Sequence, residues 1–162
     1  MEEKVLYTRI YAILQKGPGE IRDRGWQGLI VEGTLEVASR LVISYVNLDT
    51  SFLSVTLEKY CENRGLDRSL FLAILRQLDL GREQFAKRME DYSEGQKKKV
   101  LIAASLLTPA HLYIWDEPLN YIDVFSRMQI EKLILEYRPT MLTVEHDIRF
   151  QEKVASRIVR MM

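Results

Sequence analysis

Apolar residues follow two rhythms along this chain. Compact apolar stretches at Leu41–Val46, Leu112–Trp115 and Thr140–Val144 suit strands buried on both faces of a parallel sheet. Between them apolar positions recur three and four residues apart, which predicts helices. Leu70, Phe71, Ile74, Leu75 and Leu78 form one such face, with Asp67 as its N-cap and a stop near Gly81. Val100, Leu101, Ala104 and Leu107 mark a second helix that begins after Ser93. A third runs from about Val124 to Tyr137 and is stopped by Pro139; a short one near Ile148–Ala155 precedes a last strand at Arg157–Val159. Leu6, Ile10, Ile13 and Leu14 also keep helical spacing, broken by Lys16-Gly-Pro-Gly19, which reads as a turn. Glu20 to Gly33 reads as loop with a short strand at Leu29–Val31. Strand, helix, strand alternation with short connections indicates βαβ units, an α/β fold and a mostly parallel sheet.

Composition narrows the setting. The 162 residues make one domain or a large piece of one, and 47% apolar content is enough for a core. Lysine plus arginine equals aspartate plus glutamate, 23 each, so no global field draws the chain to nucleic acid or to a membrane surface. The lone Cys61 fits a reducing compartment. No apolar run approaches the roughly 20 residues that cross a bilayer, and Met1-Glu-Glu-Lys4 is too charged for a signal peptide. The expectation is a cytoplasmic protein without a membrane segment.

Candidate chemistry gathers at element ends. The strand through Trp115 stops in two adjacent acids, Asp116 and Glu117, followed by Pro118. Open α/β sheets place ligands at the carboxyl ends of their strands. One acid there can hold Mg²⁺ through water, and the next can orient and deprotonate an attacking water; a surface turn is the plainer alternative. Val144-Glu-His-Asp147 repeats the pattern, and in a parallel sheet His146 can neighbour Asp116 and reach the γ-phosphate of a nucleotide. Ser93-Glu-Gly-Gln96 reads as a capping box. Gly95 leaves the first turn open to close approach. Lys97, Lys98 and Lys99 then stand where the helix dipole disfavours cations, each by roughly 0.3–1 kcal/mol. An anion at the helix start offsets that cost; alternatively at least two of the lysines lie on a solvated face.

The order of these signals resembles the second half of an ATP-binding-cassette (ABC) nucleotide-binding domain. Ser93-Glu-Gly-Gln96 resembles the signature motif and Tyr113-Ile-Trp-Asp-Glu117 the Walker B motif with its catalytic glutamate. Asn120-Tyr-Ile-Asp123 resembles the D-loop and Glu145-His-Asp147 the histidine switch. The wording is closest to the C-terminal cassette of the ABC-F class, in particular its antibiotic-resistance ribosomal protection proteins, from about Gly33 onward. The resemblance implies a partial P-loop domain: an unassigned segment over 1–32, a helical signature region over about 50–107, and Walker B to histidine switch over 111–147. It implies ATP and Mg²⁺ as cofactors, with Asp116 the water-mediated metal residue and Glu117 and His146 catalytic. Ser93, Gly95, Gln96 and Asp123 would meet ATP held by another ABC cassette, in the same longer polypeptide or in trans. The ribosome is the larger partner so implied.

Two departures bear on activity. A working cassette carries Gly-x-x-x-x-Gly-Lys-Ser/Thr to hold phosphates, yet no Gly-Lys dipeptide occurs in this chain. The family's metal-contacting glutamine after the second strand is replaced in Asn47-Leu48-Asp49, and Leu48 cannot ligate. The leading expectation is a truncated or divergent ABC-F cassette, inactive as an ATPase alone. Beside it stand a non-catalytic module completing a partner's ATP site, an ATP-binding subunit of a transporter, and a poorly folding remnant.

Overall fold

The computed structural model describes residues 10–15 and 40–160, with side chains from 40 to 158. Five strands form one sheet: β1 (Ile10–Gln15), β2 (Ile43–Val46), β3 (Leu112–Asp116), β4 (Met141–Val144) and β5 (Arg157–Arg160), in the order β2-β3-β4-β1-β5. Every pairing is parallel. In register, Val46 faces Trp115 and Trp115 faces Thr143, so the tips of β2, β3 and β4 lie side by side. The expected α/β class with a parallel sheet is what the chain adopts.

β1 corrects the N-terminal expectation. Residues 10–15 form a strand inserted between β4 and β5, not the end of a helix. Ile10, Ile13 and Leu14 fit helical spacing, but Ile-Tyr-Ala-Ile-Leu is also a near-continuous apolar run. An interior parallel strand is covered on both faces and needs no alternation, so spacing alone cannot separate the two. Pairing on both sides decides it, with Ile10 opposite Met141 and Tyr11 opposite Arg157. Residues 6–9, the Lys16–Gly19 turn and the strand expected at 29–31 lie outside the described residues.

Among the described residues five α-helices connect or cover the strands: α1 (Leu57–Arg64), α2 (Arg68–Gln77), α3 (Glu94–Leu107), α4 (Val124–Tyr137) and α5 (Ile148–Val154). The apolar pattern did not mark α1. Its signals are local: the Thr56 side chain accepts from Lys59 N–H, and Gly65 closes the helix at φ 62°, a left-handed conformation glycine adopts without a Cβ clash. α2 begins where expected, with Asp67 accepting from Leu70 N–H. Its buried stripe is narrower than the pattern proposed. Phe71, Leu75 and Leu78 are in the core, Ile74 is partly covered, and Leu70 is 56% exposed. α3 lies between α2 and the sheet, and from Lys98 to Ser105 it is buried on every side. Leu107 only packs against the core's edge.

A polar joint fixes α3 to the sheet. Trp115 Nε1 donates to Ser105 Oγ at 2.9 Å, and that hydroxyl shares a hydrogen bond with Ser44 Oγ at 2.7 Å. These buried polar atoms satisfy one another across β2, α3 and β3, as a dry site requires. Because all strands run in one direction, Asn47, Asp116, Glu117, Glu145 and His146 emerge at a single carboxyl rim.

Candidate functional site

Asp116 is the last residue of β3 and is 4% exposed, so its position is set by the strand's burial. The chain then reverses. Glu117 has φ 45°, which turns its side chain out of the strand direction at some conformational cost. Its N–H donates to Val144 O at 2.9 Å, anchoring the turn to β4. One carboxylate oxygen accepts from Asn120 Nδ2 and the other lies 3.6 Å from His146 Nε2. The fold thus brings Glu117 and His146 together, as neighbouring strand tips predict. Asp116 stands at the same rim. His111 has a structural role: its Nδ1 accepts from Val42 N–H at 3.0 Å where β2 and β3 begin.

The capping box at α3 is complete. Ser93 Oγ accepts from Gln96 N–H at 3.2 Å, and Gln96 Oε1 accepts from Ser93 N–H at 3.0 Å. Gly95 does admit a close neighbour, but the neighbour is internal. A Cβ at Gly95 would stand 2.3 Å from the Tyr121 carbonyl oxygen, so the glycine lets the 119–123 turn press against α3. Asp123 continues this contact. Its Oδ1 caps α4 by accepting from Ser126 N–H at 2.8 Å, while its Oδ2 accepts from Lys99 Nζ at 2.7 Å. Desolvation pushes its carboxyl upward, but the Lys99 and Ser126 hydrogen bonds outweigh that and hold it well below the usual carboxylate range.

The lysine expectation is corrected: no pair of the three lies on a solvated face. Lys98 is 2% exposed, Lys99 is buried, and Lys97 is mostly covered beside Glu94 at 3.2 Å. Lys98 Nζ donates to Asn47 O at 2.9 Å and approaches Asp116 O at 3.5 Å. Burial depresses its basicity, opposed by Asp116, Glu117, Glu145 and Glu94. Carbonyls and carboxylates of the chain therefore offset the dipole penalty without an external anion. Thr50 Oγ1 also donates to Glu94, so the segment after β2 is tied to the start of α3 at two points.

Arg127 escaped the sequence reading, and Glu145 entered it only as the first residue of the segment that resembles the histidine switch. Arg127 donates from Nε to Ile122 O at 2.9 Å, from one terminal nitrogen to Leu119 O at 3.1 Å and from the other to Asp147 Oδ2 at 3.1 Å. Glu145 is 4% exposed, and its carboxylate accepts from backbone N–H groups on both sides of the site. Arginine within a helix and glutamate before a histidine give no signal in one dimension; their long-range partners do.

Among the described residues no group of three or more acidic, histidine or cysteine side chains forms a metal cluster. Mg²⁺ commonly takes one or two carboxylates and fills its remaining positions with phosphates and water. Asp116 at the rim fits a nucleotide-borne ion of that kind, and Leu48 adds no ligand. No helix among the described residues is long and apolar enough to cross a membrane.

Comparison with known proteins agrees with this architecture. The chain is 30% identical over 128 residues to ribosome protection protein VmlR of Bacillus subtilis (strain 168), covering 77% of this chain and 23% of VmlR. It is 33% identical over 85 residues to ABC transporter F family member 2 of Arabidopsis thaliana, covering 49% of this chain and 12% of the relative. It thus spans a quarter or less of these relatives' length. A chain from the crystal structure of archaeal ribosome recycling factor aABCE1 with ribosomal stalk protein aP1 superposes with TM-score 0.62 at 26% identity, covering 80% of this chain and 26% of that one. The post-hydrolysis dimer of the ATP-binding cassette MJ0796 with ADP and Pi shares the fold, with TM-score 0.61 at 22% identity over 75% of this chain and 59% of that one. The family model described as ABC transporter matches residues 8–120, which takes in β1, the start of α3 and the Asp116–Glu117 pair at the end of β3. The chain belongs to the ABC transporter family, as an ATP-binding cassette domain.

Proposed function

We propose that this chain is a divergent ABC-F-type cassette that works as one of a pair and does not hydrolyse ATP alone. The observation that carries the reading is the meeting of Glu117 and His146 at 3.6 Å, on the rim that also holds Asp116. In an assembled pair Ser93, Gly95 and Gln96 contact ATP held by the partner cassette, and Asp123 lines the junction. Asp116 would hold Mg²⁺ through water, Glu117 would take the proton of the attacking water and His146 would donate to the γ-phosphate, but only for a nucleotide whose phosphates another polypeptide cradles, because this chain carries no Gly-Lys dipeptide. These are the roles the family resemblance assigns to the positions.

Inactivity alone follows from the absent Gly-Lys dipeptide and from Leu48, since both concern phosphate and metal held by the same chain. β1 is present between β4 and β5, so the sheet does not lack its interior strand. Similarity to a ribosome protection protein supports the ribosome as partner; the antibiotic-resistance class as ancestral role rests on the motif resemblance alone. A cytoplasmic location accords with both.

Calorimetric titration with Mg²⁺–ATP tests the first part. The chain alone should give no saturable heat and no phosphate release, and Glu117→Gln should change neither. Saturable binding with turnover that Glu117→Gln abolishes would establish an autonomous ATPase and overturn the reading. Sedimentation through a sucrose cushion tests the partner: the chain should pellet with ribosomes and stay absent from washed membranes. Recovery with membranes alone would favour a transporter subunit.

A further inference from the structure

Glu145 connects the two turns that carry Glu117 and His146. Its Oε2 accepts from Leu119 N–H at 3.2 Å, two residues past Glu117 in the turn after β3. Its Oε1 accepts from His146 N–H at 2.8 Å and Asp147 N–H at 3.2 Å, in the turn after β4. One carboxylate thus bridges two segments 26 residues apart in sequence. The bridge is itself held. Gln151 Nε2, buried in α5, donates to the Glu145 carbonyl at 2.7 Å. Arg127 closes the opposite side, joining Leu119 O to Asp147 Oδ2. Leu119 is therefore fastened through its N–H by Glu145 and through its carbonyl by Arg127. In both cases the other end of the link is the turn of His146.

We propose that Glu145 is a positioning residue that fixes Glu117 and His146 relative to one another. A strand tip alone leaves each turn free to shift along its own chain; a shared buried acceptor makes such a shift cost a desolvated N–H. Separation of the two functional groups is then set by the bridge as well as by β3–β4 pairing. Glu145 touches neither water nor phosphate in this role and acts only through the two turns. The assignment rests on reading Glu117 and His146 as the hydrolytic pair, but its test needs no nucleotide, so a chain that binds no ATP can still pass.

Glu145→Gln is the decisive variant. A carboxamide keeps the volume and one acceptor oxygen but cannot accept at both ends. Amide hydrogen exchange followed by NMR should accelerate at least tenfold at Leu119 or at His146, while β3 and β4 strand amides keep their protection. The nuclear Overhauser contact between the His146 ring and the Glu117 side chain should weaken in the same sample. Glu145→Asp, a methylene shorter, should keep the His146 and Asp147 amides protected and release Leu119. Unchanged exchange at Leu119 and His146 in Glu145→Gln, or an intact ring contact, would overturn the proposal. Acceleration spread evenly through β3 and β4, or loss of the cooperative melt in both variants, would make Glu145 a purely structural residue and equally end it.

Discussion

Asp123 divides its two carboxylate oxygens between a helix cap and the buried Lys99 ammonium. The consequences separate by substitution. Asp123→Asn keeps an acceptor for Ser126 N–H but faces Lys99 with an amide, and should cost about 1 kcal/mol because the aspartate is half-exposed and screened. Asp123→Ala removes the cap as well and should cost about 2 kcal/mol. Urea unfolding at pH 6 measures both. The pH dependence has a fixed sign. A carboxyl held below its ordinary value of 3.8 contributes stability above that pH and loses it as pH falls toward the folded value. The gap between wild type and Asp123→Asn should therefore narrow steadily below about pH 4. Gly95 gives a second residue-scale test. With the Tyr121 carbonyl 2.3 Å from where a methyl would sit, Gly95→Ala must move the 119–123 turn or α3. A loss of about 1–3 kcal/mol is expected, with backbone shift changes centred on Tyr121 and Ile122. The long-range contacts were invisible in sequence. Asp123 reads as a D-loop acid and Gly95 as an opening for phosphate; the Asp123 cap on Ser126 is local, whereas Lys99 and the Tyr121 carbonyl belong to distant segments.

At the scale of elements, periodicity located α3, α4, β3 and β4 closely and misjudged α2 and β1 for different reasons. In α2 the pattern proposes a broad apolar face, but the helix meets the core only along Phe71, Leu75 and Leu78. Leu70 lies on the open side of the first turn, 56% exposed, with its N–H capped by Asp67. Leu75→Ala should therefore cost about 2–5 kcal/mol, and Leu70→Ala within about 0.5 kcal/mol, both read from chemical denaturation. Equal losses would show that α2 is rotated about its axis. In β1 the ambiguity lies in the residues themselves, since a short apolar run satisfies a buried strand and a helix face alike. The lysine run failed for a third reason. Three consecutive cations read as solvated, yet α3 is enclosed by α2 and the sheet, so Lys98 and Lys99 have to find acceptors inside.

For the whole molecule, the chain's own sequence determined the α/β class, the parallel sheet and the set of rim residues. Those follow from local rules: buried strands are written as unbroken apolar runs, caps as Asp or Ser before a periodic stretch, and ligand-facing groups as polar residues ending a strand. The absence of Gly-Lys and of a ligating side chain at 48 is equally a sequence fact, and it underlies the expectation that Mg²⁺–ATP alone will give no turnover. Tertiary structure decided what one dimension cannot encode. It placed β1 inside the sheet, beside the histidine strand. It set Glu117 within 3.6 Å of His146. It buried Lys98, and it recruited Glu145 and Arg127 as fasteners between the 117–123 and 145–147 turns. Each of these depends on contacts between distant segments, and such contacts are fixed by strand order and helix packing, not by the spacing of neighbouring residues.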